Sequence, residues 1–180
     1  RRRTPGDRVD HRSQVKIAPP PAGCRTYGRR VRTTTMTPLS RRSTLLLVPA
    51  TIITCWLGMM LVHESGHMLA ATFTGGTVQK LVFHPLALSR TDVTPNPHPL
   101  AVAWSGPAFG AAAPLLLWLA LRAAGVRSFL AQIFAGFCLI ANGAYIALGS
   151  LSRAGDTYDL LLNGSPLWTL WLFGLVALAA

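Results

Sequence analysis

The chain has 180 residues; 51% are hydrophobic and only 6 are acidic against 17 Lys and Arg, a net charge of +11. That composition excludes an ordinary soluble globular domain and points to a membrane protein. Nor does the charge indicate nucleic acid: residues 1–35 hold ten of the basic residues and carry +8, without the aromatic interleaving or fold signals of a nucleic-acid binder.

Residues 1–43 are rich in Arg, Pro, Gly and Thr and show no apolar period, which predicts a basic, disordered N-terminal segment. The first methionine, Met36 in MTPLSRRSTLLL, offers a translation start just ahead of the first apolar run; a basic regulatory tail or targeting arm is the other reading of what precedes it. No signal-peptide cleavage pattern stands out, so the run is expected to be retained.

Residues 44–180 read as a membrane-embedded domain. Between Arg42 and Glu64 lie 21 uncharged residues, and further charge-free windows run from Val93 to Leu121, Ser128 to Ser152 and Leu160 to Ala180. Each holds the roughly 20 residues that cross a bilayer as a helix. The spans are expected at about 44–73, 100–121, 129–151 and from 167 onward, where the sequence stops inside an apolar run that a longer chain would continue. Gly75-Gly76 closes the first. TVQKLVFHPLALSRTDV, with β-branched and alternating residues, reads as a short hairpin or extended segment at the membrane, and TPNPHP breaks regular structure before the second span. The fold class expected is therefore an all-α multi-pass membrane protein of about four transmembrane helices, with a strand-like or re-entrant segment between the first two.

Cys55 and Cys138 fall inside apolar windows and Cys24 in the basic segment, with no metal-ligand or redox spacing, so free thiols are expected. The tryptophans at 104, 118, 168 and 171 read as interfacial anchors and packing. Arg41 and Arg42 would share a side with Arg122 and Arg127, opposite Lys80, Arg90 and Arg153, which favours a cytoplasmic N-terminus.

The informative stretch is LVHESGHMLAA, residues 61–71. An ionisable side chain in the bilayer core costs at least about 2.5 kcal/mol and marks a functional site. His63 and His67 are one helical turn apart and face the same side, so both imidazoles can reach one metal ion. Glu64, the only glutamate in the chain, is placed to act as general base on a metal-bound water. This is the HExxH arrangement of zinc metallopeptidases. The plain alternative is a pair of helix-facing histidines hydrogen-bonded across a bundle.

Several features in order resemble the site-2 protease-like intramembrane metallopeptidases, over about residues 44–164. HESGH fits the HExGH that this family places in a transmembrane helix, and TGGTVQKLVFHP is similar to the glycine turn and strand-like segment that follow it there. SGPAFG, Ser105 to Gly110, resembles a GPxxN element, with Gly110 standing where the asparagine would be; close helix packing through small residues is the other reading. The resemblance implies a third zinc ligand, an aspartate near the third core helix in a pattern like N-x-x-P-x-x-P-L-D-G. NGAYIALGSLSRAGDTYDLLLNG offers Asp156, preceded by Gly155 and followed by Leu160-Leu161, without the prolines or the D-G step. Asp156 is chosen over Asp159, with capping of a helix starting at Thr157 as its alternative role. His84 and His98 stand as substitutes. Asn142 is assigned to substrate or to a group behind the ligands, against bridging of two spans.

The expectation is thus a multi-pass protein of the cell membrane that binds Zn2+ through His63, His67 and Asp156. Glu64 would activate water to hydrolyse a peptide bond in a membrane-protein substrate whose helix is locally unwound in the bilayer. A catalytically inactive scaffold and a small metal or ion transporter are the competing classes. Substrate, cleavage side and oligomeric state are not encoded legibly.

Overall fold

The computed structural model describes residues 41–84 and 89–180; the basic segment up to residue 40, with Cys24 and Met36, lies outside the described residues. Within the described chain the uncharged run becomes α1, Arg41–Phe73, a helix of 33 residues. Pro49 is accommodated inside it, and the hydroxyls of Thr51 and Thr54 donate to the carbonyls four residues back, both at 2.8 Å. The helix ends where Gly75 takes φ 79°, a left-handed conformation that glycine adopts without steric penalty, and Gly76 N–H donates to the Ala71 carbonyl at 2.7 Å.

A two-stranded antiparallel hairpin follows, β1 (Val78–Val82) and β2 (Arg90–Val93), with a register irregularity between Val78 and Lys80. The strand-like segment read from the sequence is therefore a true β-ribbon. Next, α2 (Pro99–Ala123) begins with proline at its first turn, where no intrahelical N–H is needed, and carries Pro107 and Pro114 in its interior. The third helix, α3 (Phe129–Ser152), is capped by Ser128, whose hydroxyl accepts from Ala131 N–H at 3.2 Å, and it stops at Arg153 with φ 52°. Short α4 (Asp156–Leu162) and α5 (Leu167–Ala179) are separated by Asn163–Pro166, with Gly164 at φ 90°.

Three helical stretches, Ser43–Phe73, Pro99–Ala123 and Phe129–Ser152, are long and apolar enough to span a membrane. By contrast α5 has 13 residues, about 20 Å of helix, less than the ~30 Å of a hydrocarbon core. Three of the four expected helices thus have spanning length.

The helices pack in series, α1 on α2, α2 on α3 and α3 on α5, with α4 bridging α2 and α3. Small residues set two of the crossings. A Cβ on Gly66 would collide with the Ser105 carbonyl and lie 2.8 Å from Phe109 Cβ, so α1 and α2 approach backbone to backbone. Likewise a Cβ on Gly143 would lie 2.9 Å from Ala177 Cβ, which brings α5 against α3. Between the crossings lie apolar clusters. Met59, Met60 and Cys138 pack with Trp56 and Phe134, and Ile146, Leu160 and Leu170 pack with Trp104 and Phe173. Cys55 and Cys138 are buried free thiols. Many leucines and isoleucines of α1, α3 and α5 remain on the outer surface, Leu46 at 73% and Leu151 at 73% exposure among them, an arrangement suited to lipid rather than water.

Candidate metal centre

Two turns before its C-terminus, α1 turns His63, Glu64 and His67 into the interior, at 6%, 1% and 5% exposure. The i, i+4 spacing brings the two Nε2 atoms to 3.2 Å, with the rings edge to face. The third member comes from 93 residues away. Asp156 is the first residue of α4, and its Oδ2 lies 2.8 Å from His63 Nε2 and 3.3 Å from His67 Nε2. Its direction is set by Gly155, which takes φ 57° and ψ −138° and serves as the N-cap position of α4. Asp156 is therefore not that helix's cap, and its carboxylate turns toward the histidines. Tyr145 of α3 accepts the Asp156 N–H at 3.0 Å, and Thr157 ties α4 to α3 by donating to the Gly149 carbonyl at 2.9 Å.

The far nitrogens of both imidazoles are committed. The Asn142 amide donates to the Cys138 carbonyl at 2.9 Å, which fixes its oxygen toward His63; that oxygen accepts from His63 Nδ1–H at 2.7 Å. The backbone carbonyl of Val102 accepts from His67 Nδ1–H at 2.7 Å. With protons on both Nδ1 atoms, each Nε2 of a neutral ring presents a lone pair toward the other and toward the carboxylate. Three electron-rich atoms at 2.8–3.3 Å repel one another unless a cation sits among them. Tetrahedral zinc with ligand bonds of about 2.0–2.2 Å has ligand edges of about 3.3–3.5 Å, close to two of these three separations. The donor set His63, His67 and Asp156 thus fits a metal ion, all ligand atoms lying within 4.8 Å of one another.

The carboxyl of Asp159, one turn beyond Asp156, is raised above its usual range by burial and by the Asp156 charge.

Glu64 points elsewhere from the ligand cluster's hydrogen bonds: its Oε2 accepts from the Thr91 hydroxyl of β2 at 2.5 Å. The hairpin is thereby fastened to the buried carboxylate. On the opposite flank the His67 ring lies against α2 at Gly106, where any Cβ would fall on the imidazole.

Of the residues singled out from HESGH, His63 and His67 come together with Asp156, while Glu64 is buried beside them and bonded to Thr91. Asn142 belongs to the same cluster, and its oxygen and one amide N–H are engaged by His63 and the Cys138 carbonyl. Its placement is that of an orienting group behind a ligand. His84 and His98 are not in the metal-ligand group found among the described residues. Thr91, the Val102 carbonyl, Gly106 and Tyr145 were not legible from sequence. Only the small-residue run around Gly106 gave a signal, and only of close packing.

Comparison with protein-family profiles, with curated proteins and with solved structures found no match to this chain.

Proposed function

We propose that the chain is an intramembrane zinc metallopeptidase of the site-2 protease-like kind, hydrolysing a peptide bond in or near a transmembrane segment of a membrane protein. The observation that carries this reading is the convergence of the two Nε2 atoms and the Asp156 carboxylate, with both Nδ1 protons held elsewhere, directly beside the chain's only glutamate. A structural histidine pair would have no need of the carboxylate or of that tautomer. Zinc bound there would polarise the scissile carbonyl and acidify water.

The protein's own groups supply the rest. Asn142 and Val102 fix the rings, and Tyr145 fixes the Asp156 backbone. Glu64, held at one oxygen by Thr91, takes a proton from the attacking water and returns it to the departing amine. The buried surroundings keep bulk water from the reacting groups and strengthen each electrostatic contact.

Gly110, where the resembling pattern has an asparagine, packs against Asn142. A Cβ there would lie 2.8 Å from Asn142 Oδ1, so Gly110 leaves the room on α2 that the Asn142 amide of α3 occupies. In this reading α5 belongs to the membrane-embedded body as a fourth apolar helix, and the protein resides in the cell membrane.

The test is zinc stoichiometry and peptide cleavage on detergent-purified protein, comparing the parent with His63→Ala and Glu64→Gln. One tightly held zinc, lost in His63→Ala and kept in Glu64→Gln while cleavage disappears, is the expected result. A metal-replete parent without zinc would overturn the enzyme reading in favour of a membrane scaffold. Metal flux into liposomes that survives Glu64→Gln would favour a transporter.

A further inference from the structure

Two cavities of opposite character meet at the metal-ligand cluster. The first, about 460 Å³, lies between α1 and α3 and is walled by Trp56, Met59, Met60, Tyr145 and Leu148, reaching His63. The second, about 670 Å³, lies between β2, α2 and α4; it is lined by Thr91, Asn96, Asp159 and Asn163 and reaches His67 and Asp156. Ser89 borders both. A peptide whose scissile bond sits at the ligands would therefore leave the site through apolar surroundings in one direction and polar surroundings in the other.

The polar cavity also carries a charge signature. Arg90 and Asp92 neutralise each other at 3.1 Å, and Asp156 is committed to the histidines. That leaves the solvent-exposed Asp159 carboxylate as the uncompensated charge of this cavity. The Asn96 side-chain oxygen is buried and without a hydrogen-bond partner among the described residues. An uncompensated carboxylate and a buried acceptor without a donor in one cavity favour a donor-rich, positively charged occupant. A membrane-protein segment whose apolar run is followed by a Lys or Arg supplies one.

We propose that the site reads the border of a transmembrane segment: apolar residues on one side of the scissile bond enter the cavity at Met59 and Leu148, and a Lys or Arg on the other enters the cavity at Asp159 and Asn96. This rests on the peptidase reading and names its substrate class. The charge at Asp159 is the specificity element, and the volume beside Ala144, which also lines the apolar cavity, sets how bulky the apolar side can be.

Binding and cleavage are scored separately. Zinc-loaded Glu64→Gln protein in detergent micelles is titrated with labelled synthetic peptides that join a Leu/Ala run to a polar tail, with Lys, Ala or Glu placed in turn at the first tail positions. The Lys peptide should bind about three- to fivefold tighter than the Ala peptide, and the Glu peptide weakest. Asp159→Lys in the same background should reverse the order of Lys and Glu. Ala144→Trp should weaken all three peptides while keeping their ratios, and zinc content reports folding of each variant. Equal binding of Lys and Glu peptides, or a preference that survives Asp159→Lys, overturns the proposal. A charge preference in binding without cleavage by the parent would sustain this recognition while removing the peptidase reading; cleavage indifferent to the tail charge would do the opposite.

Discussion

The side-chain oxygen of Asn142 lies 2.7 Å from Nδ1 of His63, across the interface of α3 and α1. It fixes both the tautomer and the angle of the ring, so Asn142→Ala should weaken zinc retention by about 10- to 100-fold, the usual cost of losing a partner behind a metal-ligating histidine. Competition with a graded chelator measures this directly. Unchanged affinity would mean that the ring is held by packing alone, for instance by its edge contact with Tyr145.

Gly106 should tolerate nothing larger. A methyl group there occupies the space of the His67 imidazole, and the close crossing of α1 and α2 leaves no room to retreat. Gly106→Ala is expected to destabilise the folded protein by about 1–3 kcal/mol and to lower zinc content together with thermal stability. Normal metal content and melting temperature would contradict the close seat described for this ring.

Thr91 is the least conspicuous residue of the site. Removing its hydroxyl by Thr91→Val keeps the shape of β2 but leaves Glu64 Oε2 without its donor. Turnover should fall about tenfold, as expected for loss of a hydrogen bond to a charged group, with zinc content unaltered. Thr91→Ser should restore it, since the donor returns. Were the valine variant fully active, the hairpin would be a cover and not a holder of the base.

The choice of third ligand is checked by metal analysis. Asp156→Ala should lose zinc nearly as completely as His67→Ala, whereas His84→Ala and His98→Ala should retain it. Retention in Asp156→Ala would mean that the Oδ2 distances of 2.8 and 3.3 Å reflect an ion pair with the histidines and nothing more.

What could be read from sequence follows the range of the interactions. The helices were visible as uncharged windows, and the His63, Glu64 and His67 group was visible because its geometry is local, one turn of one helix. Asp156 could be located only through a neighbouring glycine and a spacing, since the backbone turn at Gly155 that aims it has no other signature. Thr91, Val102 and Gly106 matter because of what distant segments bring against them, and nothing in their own neighbourhoods shows it. The end of the chain was harder still. One uncharged window from Leu160 onward is divided between α4 and α5 at Gly164–Pro166, so α5 starts only at Leu167.

His63 and Asp156 stand 93 positions apart. A ribosome adding about 5–20 residues per second delivers the second on the order of ten seconds after the first. During that interval α1 is made, the hairpin and α2 follow, and the two histidines lack the Asp156 carboxylate that completes their group. On the peptidase proposal, the nascent chain stays without activity until α3 is made and α4 has turned back against it, and a product cut short before residue 156 would carry the whole HESGH stretch yet bind no metal through Asp156.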